Sequence, residues 1–345
     1  MAETILITSY FEPSLVGRLR QAWPGEVLYD PDLVPHPRFL GDWFGERPDL
    51  DAESENRWRE MLARAEILLG FDWLQPDQTR TNSPNLRWIQ ATFSGIGGFV
   101  DRLNLSDSEV VITTAAGVQA IPLAEFALAG ALHFLRGIPG IRARQAARRW
   151  QRYSARALAG SAVTVVGLGE IGRRTAASFA TLGARVTGLA RPGGSRPDLP
   201  GVEILDSTML DKIISHTDIL VLATPQTSAT TGMISGDLIR SLPDGAVIIN
   251  VGRGTVLDQA ALEDVLINGL PNGGRLGGVA LDVTDPEPLP EDSPLWDRDD
   301  VLISPHSAAV LASEKASLID LFIDNLNRWQ DDQPLRNVFR PELGY

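Results

Sequence analysis

The chain has 345 residues, enough for two domains, and its 43% hydrophobic content and mean hydropathy of −0.03 suit an ordinary folded protein. A net charge of −13 and a pI near 4.8 argue against a nucleic-acid or anionic-membrane partner. The lack of cysteine excludes disulfides, thiolate catalysis and cysteine-based zinc sites, and no metal site is expected.

Lys212 and Lys315 are the only lysines and neither lies in a motif, which disfavours Schiff-base chemistry. The opening MAETILITSYFEP has no basic segment and no long apolar run, so no signal peptide or membrane span is read and a cytoplasmic location is expected.

In chain order, residues 4–8 predict a strand, 13–23 an amphipathic helix and 27–29 a second strand. Residues 30–51, rich in Pro, Asp and aromatics, read as a long surface loop. A helix over 53–65 precedes strands at 67–70, 86–92 and 110–114. This alternation describes a first, smaller α/β domain. Residues 122–135 are apolar nearly all round, as in a helix buried on several sides. Arg142, Arg144, Arg148, Arg149, Arg152 and Arg156 follow, with Trp150 and Tyr153 between them. In so acidic a chain that cluster reads as a solvated face or subunit-contact arm rather than a nucleic-acid surface.

Residues 162–183, AVTVVGLGEIGRRTAASFATLG, are the centre of the second domain. A β-branched strand stops at Gly167, and Gly169 and Gly172 complete G-x-G-x-x-G around Glu170 and Ile171 before an Ala-rich helix. The first glycine permits the turn, the second lets a pyrophosphate approach the backbone and the third allows close helix–strand packing. The phosphates then meet the unpaired N–H groups of the helix. Further strands are read at 185–190, 219–223, 246–251, 278–283 and 301–304, with helices at 209–216, 236–241, 259–268 and 309–330. Near-continuous apolar strands between helices predict a parallel sheet covered on both faces. The expected fold is therefore α/β with two doubly wound parallel sheets. A Rossmann dinucleotide domain (117–308) is inserted in a discontinuous flavodoxin-like substrate domain (1–116 and 309–345).

Arg253, Glu287 and His306 each follow a predicted strand end, where ligands bind in such sheets. Singly each has a bland reading: a guanidinium on a backbone carbonyl, an acid in a turn, a structural histidine. Together they match the needs of 2-keto acid reduction. Arg253 clamps a carboxylate, His306 gives or takes the proton, and a neighbouring Glu287 favours the imidazolium.

Here the chain resembles the D-isomer-specific 2-hydroxyacid dehydrogenase family, which includes glyoxylate/hydroxypyruvate reductases, from about residue 67 onward. The likeness rests on LRWIQATFSGIGG, VVITTAAGVQAIPLAEFALA, VVGLGEIG, INVGRGTVLDQAAL, GVALDVTDPEPLP, VLISPHSA and LRNVFRPELGY. It implies Arg253, Glu287 and His306 as the catalytic set, and Ser94, Gly95, Ile96 and Gly97 as the loop whose amides hold the substrate carboxylate. It also implies Thr224, Pro225, Val251 and Gly252 beside the cofactor, Asp282 on the nicotinamide carboxamide, and pairing of two subunits through residues 122–150. Formate-dehydrogenase-like relatives carry Gln where Glu287 stands. Phosphite oxidation and a dinucleotide-sensing, corepressor-like role are the remaining alternatives.

Two departures stand out. The 30–51 loop is long for the family, and residue 190 is Ala where an acid ordinarily binds the ribose hydroxyls of NAD. Arg191, followed by Ser195 and Arg196, predicts a 2′-phosphate and hence NADP(H) over NAD(H). Phe71, Trp73 and Phe93 are candidates for a substrate pocket, with core packing the favoured role.

Overall fold

The computed structural model describes residues 2–106, 108–194 and 196–344; Ser195 lies outside the described residues. It divides into two compact units, Met1–Val118 with Val310–Tyr345, and Gln119–Ala309.

The first unit is a five-stranded parallel sheet of β1 (Ile5–Ile7), β2 (Val27–Leu28), β3 (Ile67–Leu69), β4 (Trp88–Gln90) and β5 (Val111–Thr113), in the order β2-β1-β3-β4-β5. Its helices are α1 (Pro13–Ala22), α2 (Ala52–Arg64), α3 (Thr79–Asn82) and α4 (Gly97–Arg102). Pro13 opens α1 and the Asp51 carboxylate caps α2 by accepting from Ser54 N at 2.8 Å. The pleat sends Leu6, Leu68, Ile89 and Ile112 to one face, where they meet Trp58 and Leu62 of α2.

The second unit begins with α5 (Ala120–Leu135) and α6 (Ile138–Ala146). Its strands are β6 (Ala162–Val166), β7 (Arg185–Ala190), β8 (Val202–Asp206), β9 (Ile219–Leu222), β10 (Val247–Asn250), β11 (Gly278–Leu281) and β12 (Val301–Ile303). Between them lie α7 (Glu170–Thr181), α8 (Leu210–Ile213), α9 (Gly236–Arg240) and α10 (Gln259–Asn268). All pairings are parallel, in the order β12-β11-β10-β9-β6-β7-β8. Val163, Val165, Val221 and Ile249 pack under α5 and α7; Leu220, Leu222 and Ile248 pack on the other face with Ile239 and Leu262. A final helix, α11 (Glu314–Gln330), belongs to the first unit, where Leu318, Ile319 and Phe322 cover Ile5, Ile7 and Trp88.

Several elements differ from the sequence reading. Strand β8 was not expected, because its residues alternate and stay half-exposed at the sheet edge instead of forming a buried run. Helix α4 hides behind Gly97-Gly98, two poor helix formers at its start. Helix α11 starts at Glu314, not 309, because Ala309 is packed in the core of the second unit. The arginine-rich stretch is helical only to Ala146, and beyond it Trp150 is fully exposed.

Helix α5 buries Leu123, Ala127, Ala131 and Leu135. No single helix among the described residues is long and apolar enough to cross a membrane, although α5 and α6, bent by 59°, pass together on length and composition.

Candidate active site

The turns leaving the carboxyl ends of β6, β9, β10, β11 and β12 carry most of the expected site residues, and the backbone explains why they gather. Asn250 ends β10 with an Asx turn: its amide oxygen accepts from Gly252 N at 3.0 Å and its amide nitrogen donates to Arg253 O at 3.0 Å. A Cβ on Gly252 would stand 2.6 Å from Thr224 O, and one on Gly254 would overlap the Thr284 carbonyl. The β9 and β10 turns therefore touch backbone to backbone, as do the Arg253 turn and the segment that leads to Glu287. The peptide bonds Asp285–Pro286 and Glu287–Pro288 are both cis.

His306 Nδ1 and Glu287 Oε1 are 2.5 Å apart, with both side chains partly exposed. This is the contact that the strand-end placement predicted. His306 itself sits at a φ of +51°, a left-handed conformation uncommon outside glycine. Asp282 holds that turn. Its backbone carbonyl accepts from His306 N at 2.9 Å. Its Oδ1 accepts from Ser304 Oγ at 2.7 Å, Ser307 N at 2.9 Å and Ala308 N at 2.8 Å. The sequence reading gave Asp282 a cofactor contact; the structure commits one of its oxygens to the histidine's turn.

Arg253 Nη1 donates to Gly252 O at 2.7 Å, the bland contact foreseen for an arginine beside glycines. Burial lowers its pKa, and the negative charges of Glu287 and Asp282 oppose that shift. Asn250, Gly254 and Ser304 were missed as site residues. The one signal for Asn250 was an Asx-turn residue at a strand end, in I-N-V-G-R-G.

The residues around the glycine motif fit a dinucleotide. Gly167 has φ +96°, and a Cβ there would stand 2.8 Å from Ala223 O. Gly169, the N-cap of α7, faces open space, and a Cβ on Gly172 would overlap the Gly167 carbonyl. No side chain caps α7, leaving its first N–H groups to a phosphate. Glu170 pairs with Arg173 in that first turn, and the backbone of Ile171 accepts from Thr175 Oγ1 at 2.8 Å. Thr224 Oγ1 is buried without a hydrogen-bond partner among the described residues, and Pro225 follows it out of the strand. Val251 donates its N–H to Leu222 O at 3.0 Å. At the end of β7, Ala190 is buried and Arg191 is exposed in a turn closed by Gly194 N donating to Arg191 O at 2.9 Å. Asp206, on the unexpected strand, pairs in register with Ala190, and its carboxylate accepts from Thr208 N at 3.0 Å.

In the first unit, Ser94, Gly95 and Ile96 follow β4, with Gly95 at φ +71° and Gly97 opening α4. Phe71, Phe93 and Phe99 pack on one another at 4.8–6.2 Å, and Trp73 Nε1 donates to Leu33 O at 3.0 Å. Phe71 is buried in the core, and Trp73, Phe93 and Phe99 are half-buried against it.

Residues 128–308 match the family model for the D-isomer specific 2-hydroxyacid dehydrogenase NAD binding domain. Glyoxylate/hydroxypyruvate reductase A of Salmonella newport is 28% identical over 280 residues, covering 79% of this chain and 86% of that protein. A D-isomer specific 2-hydroxyacid dehydrogenase from Xanthobacter autotrophicus, solved with NADPH and MES, superposes with a TM-score of 0.78 at 27% identity over the whole of both chains. The NADPH-dependent glyoxylate/hydroxypyruvate reductase of Sinorhizobium meliloti, solved with NADP and sulfate, gives 0.77 at 25% identity over 99% of this chain and all of that one.

Proposed function

The chain belongs to the D-isomer-specific 2-hydroxyacid dehydrogenases, NAD(P)-dependent oxidoreductases of small hydroxy acids, and we propose that it reduces glyoxylate, hydroxypyruvate or a close 2-keto acid with NADPH. The observation that carries this reading is the 2.5 Å contact of His306 with Glu287 on a turn shared with Arg253's neighbours.

When bound, the nicotinamide supplies the hydride in reduction. In this reading His306 gives its Nε2 proton to the substrate oxygen, and Glu287 holds the ring through Nδ1. Arg253 takes the substrate carboxylate and polarises the keto oxygen. The family resemblance gives the loop of Ser94, Gly95, Ile96 and Gly97 a substrate-binding role in the first unit, which serves as the substrate domain, the second being the dinucleotide domain. Gly167, Gly169, Glu170, Ile171 and Gly172 take the pyrophosphate. Thr224, Pro225, Val251 and Gly252 flank the cofactor, and Asp282 meets its carboxamide. Ala190 removes the repulsion an acid would offer a 2′-phosphate, and Arg191 offers it a planar donor pair. NADP(H) is favoured, with NAD(H) the weaker cofactor; the NADPH and NADP complexes of the two bacterial relatives support that order. A cytoplasmic homodimer joined through α5, α6 and the arm bearing Trp150 completes the proposal.

The test is oxidation of NADPH and NADH against 2-keto acids of rising side-chain size. Turnover of the smallest acids with NADPH supports the reading; cofactor binding without turnover of any 2-keto acid sinks it.

A further inference from the structure

The first unit contains a cavity of about 570 Å³ that uses none of the residues assigned above to cofactor or substrate. Tyr10, Phe11 and Tyr29 wall it, and Gly17, Arg20 and His36 are among the residues completing the lining. Gly17 is the informative member. It lies in the middle of α1, where a glycine costs helix stability relative to alanine. Nothing in the structure repays that cost: its φ is not positive, and a Cβ there would meet no atom within 4 Å. The space beside it is the cavity, so the missing side chain keeps that cavity open. Arg20 stands three residues on, over the same helix face.

The walls are fixed in advance. Tyr29 Oη donates to Phe11 O at 2.9 Å and accepts from Phe11 N at 3.1 Å. The ammonium of Lys315, a residue only 3% exposed, lies 5.1 Å from the Tyr10 ring centre and 6.0 Å from that of Phe11. Arg20 gives one hydrogen bond, to Val27 O at 3.3 Å, and has no carboxylate within 4 Å among the described residues. Rigid aromatic walls beside a planar cation lacking a counter-ion suit a flat apolar body bearing an anion. The volume is that of a small-molecule site.

We propose that this cavity binds a small carboxylic acid with an aromatic or branched apolar body, its carboxylate on Arg20 and its body between Tyr10, Phe11 and Tyr29. The site is an accessory one, separate from hydride transfer, and it stands whether or not the substrate assignment above holds.

Indole-3-acetate titrated into the full chain by calorimetry, with saturation-transfer NMR, tests it. One saturable site is expected. Tryptamine, the same ring with an ammonium, should bind at least about tenfold more weakly, as should indole-3-acetate to Arg20→Gln, the size of effect a charge-assisted contact gives. Gly17→Leu pushes a four-carbon side chain into the cavity beside Arg20 and should weaken binding at least about tenfold while kcat/KM for the keto acid stays at the wild-type value. Gly17→Ala, which adds one methyl group to a helix, should still bind. Absence of saturable binding to the wild type overturns the proposal. So does unchanged affinity in Gly17→Leu or Arg20→Gln, or equal affinity for tryptamine. Should Gly17→Leu melt early, the Arg20→Gln and tryptamine comparisons decide alone.

Discussion

In the second unit, Val251, Asp282 and Ser304 each leave their strand by donating a backbone N–H to a carbonyl at the end of the neighbouring one: Leu222, Asn250 and Leu281. The 30–51 loop of the first unit has one reciprocal backbone pair, His36 with Glu46, two short turns closed by Leu33 N on Asp30 O and Asp42 N on Phe39 O, and a set of side-chain bonds centred on Asp42. Asp42 is buried there and takes Arg38 Nε at 2.7 Å and the N–H groups of Arg38, Phe44 and Gly45 at 3.1 Å. Trp43 lies 5.5 Å from the ammonium of Lys315, which arrives from the far end of the chain. Backbone-held turns recur as short local motifs and tolerate little change. A loop held by distant side chains leaves no motif, and single charges decide its order.

The largest effect separating the two regions is expected at His306. His306→Ala should lower kcat/KM for keto-acid reduction by about two to four decades with NADPH binding intact, as for loss of a general acid. Steady-state kinetics beside a cofactor titration checks this, and near-wild-type turnover refutes the assignment.

Asp282→Ala sharpens the comparison, because it removes the acceptor shared by Ser304 Oγ, Ser307 N and Ala308 N. A histidine displaced by an ångström should cost about two decades in kcat. If only the NADPH dissociation constant moves, Asp282 is a cofactor ligand and not a brace.

At the ribose edge the expected change is smaller. Wild type should prefer NADPH over NADH by about tenfold or more in kcat/KM, the size of one charge-assisted phosphate contact. Arg191→Ala should erode the preference through the NADPH KM, and Ala190→Asp should turn it toward NADH. A cofactor ratio that Arg191→Ala leaves untouched removes Arg191 from the site.

The smallest effect belongs to the loop. The hydrogen bond and charge of Arg38, with three backbone donors, hold the Asp42 carboxyl well below the ordinary carboxylate range. A carboxyl lowered on folding stabilises the native state above its unfolded pKa of about 4, and that stabilisation is lost as pH falls through the folded value. Asp42→Asn should therefore melt a few degrees early at neutral pH, with the gap closing in acid. Melting curves at pH 7 and pH 3 that differ from wild type by the same amount contradict the pairing.

Much of this was legible in the sequence because local chemistry wrote it. Gly167, Gly169 and Gly172 read as a phosphate cradle from their spacing alone, and at Gly167 and Gly172 the neighbouring backbone leaves no room for a Cβ. Arg253 and His306 were legible from their places after apolar strands. What the sequence did not disclose depends on partners remote along the chain. Val202–Asp206 is a strand because an edge was available beside β7, not because its residues form an apolar run. Nothing in L-D-V shows that Ser304, Ser307 and Ala308 converge on Asp282. Lys315 belonged to no motif, yet its ammonium faces Tyr10, Phe11 and Trp43.

The successive N–H donations from Val251 to Leu222, Asp282 to Asn250 and Ser304 to Leu281 have a consequence for how such a protein diversifies. The turns bearing Arg253, Glu287 and His306 leave a staircase of main-chain bonds that, among substitutions of its donors, only proline deletes. Inheritance can therefore rewrite the 30–51 loop, its length included, without redrawing the chemistry.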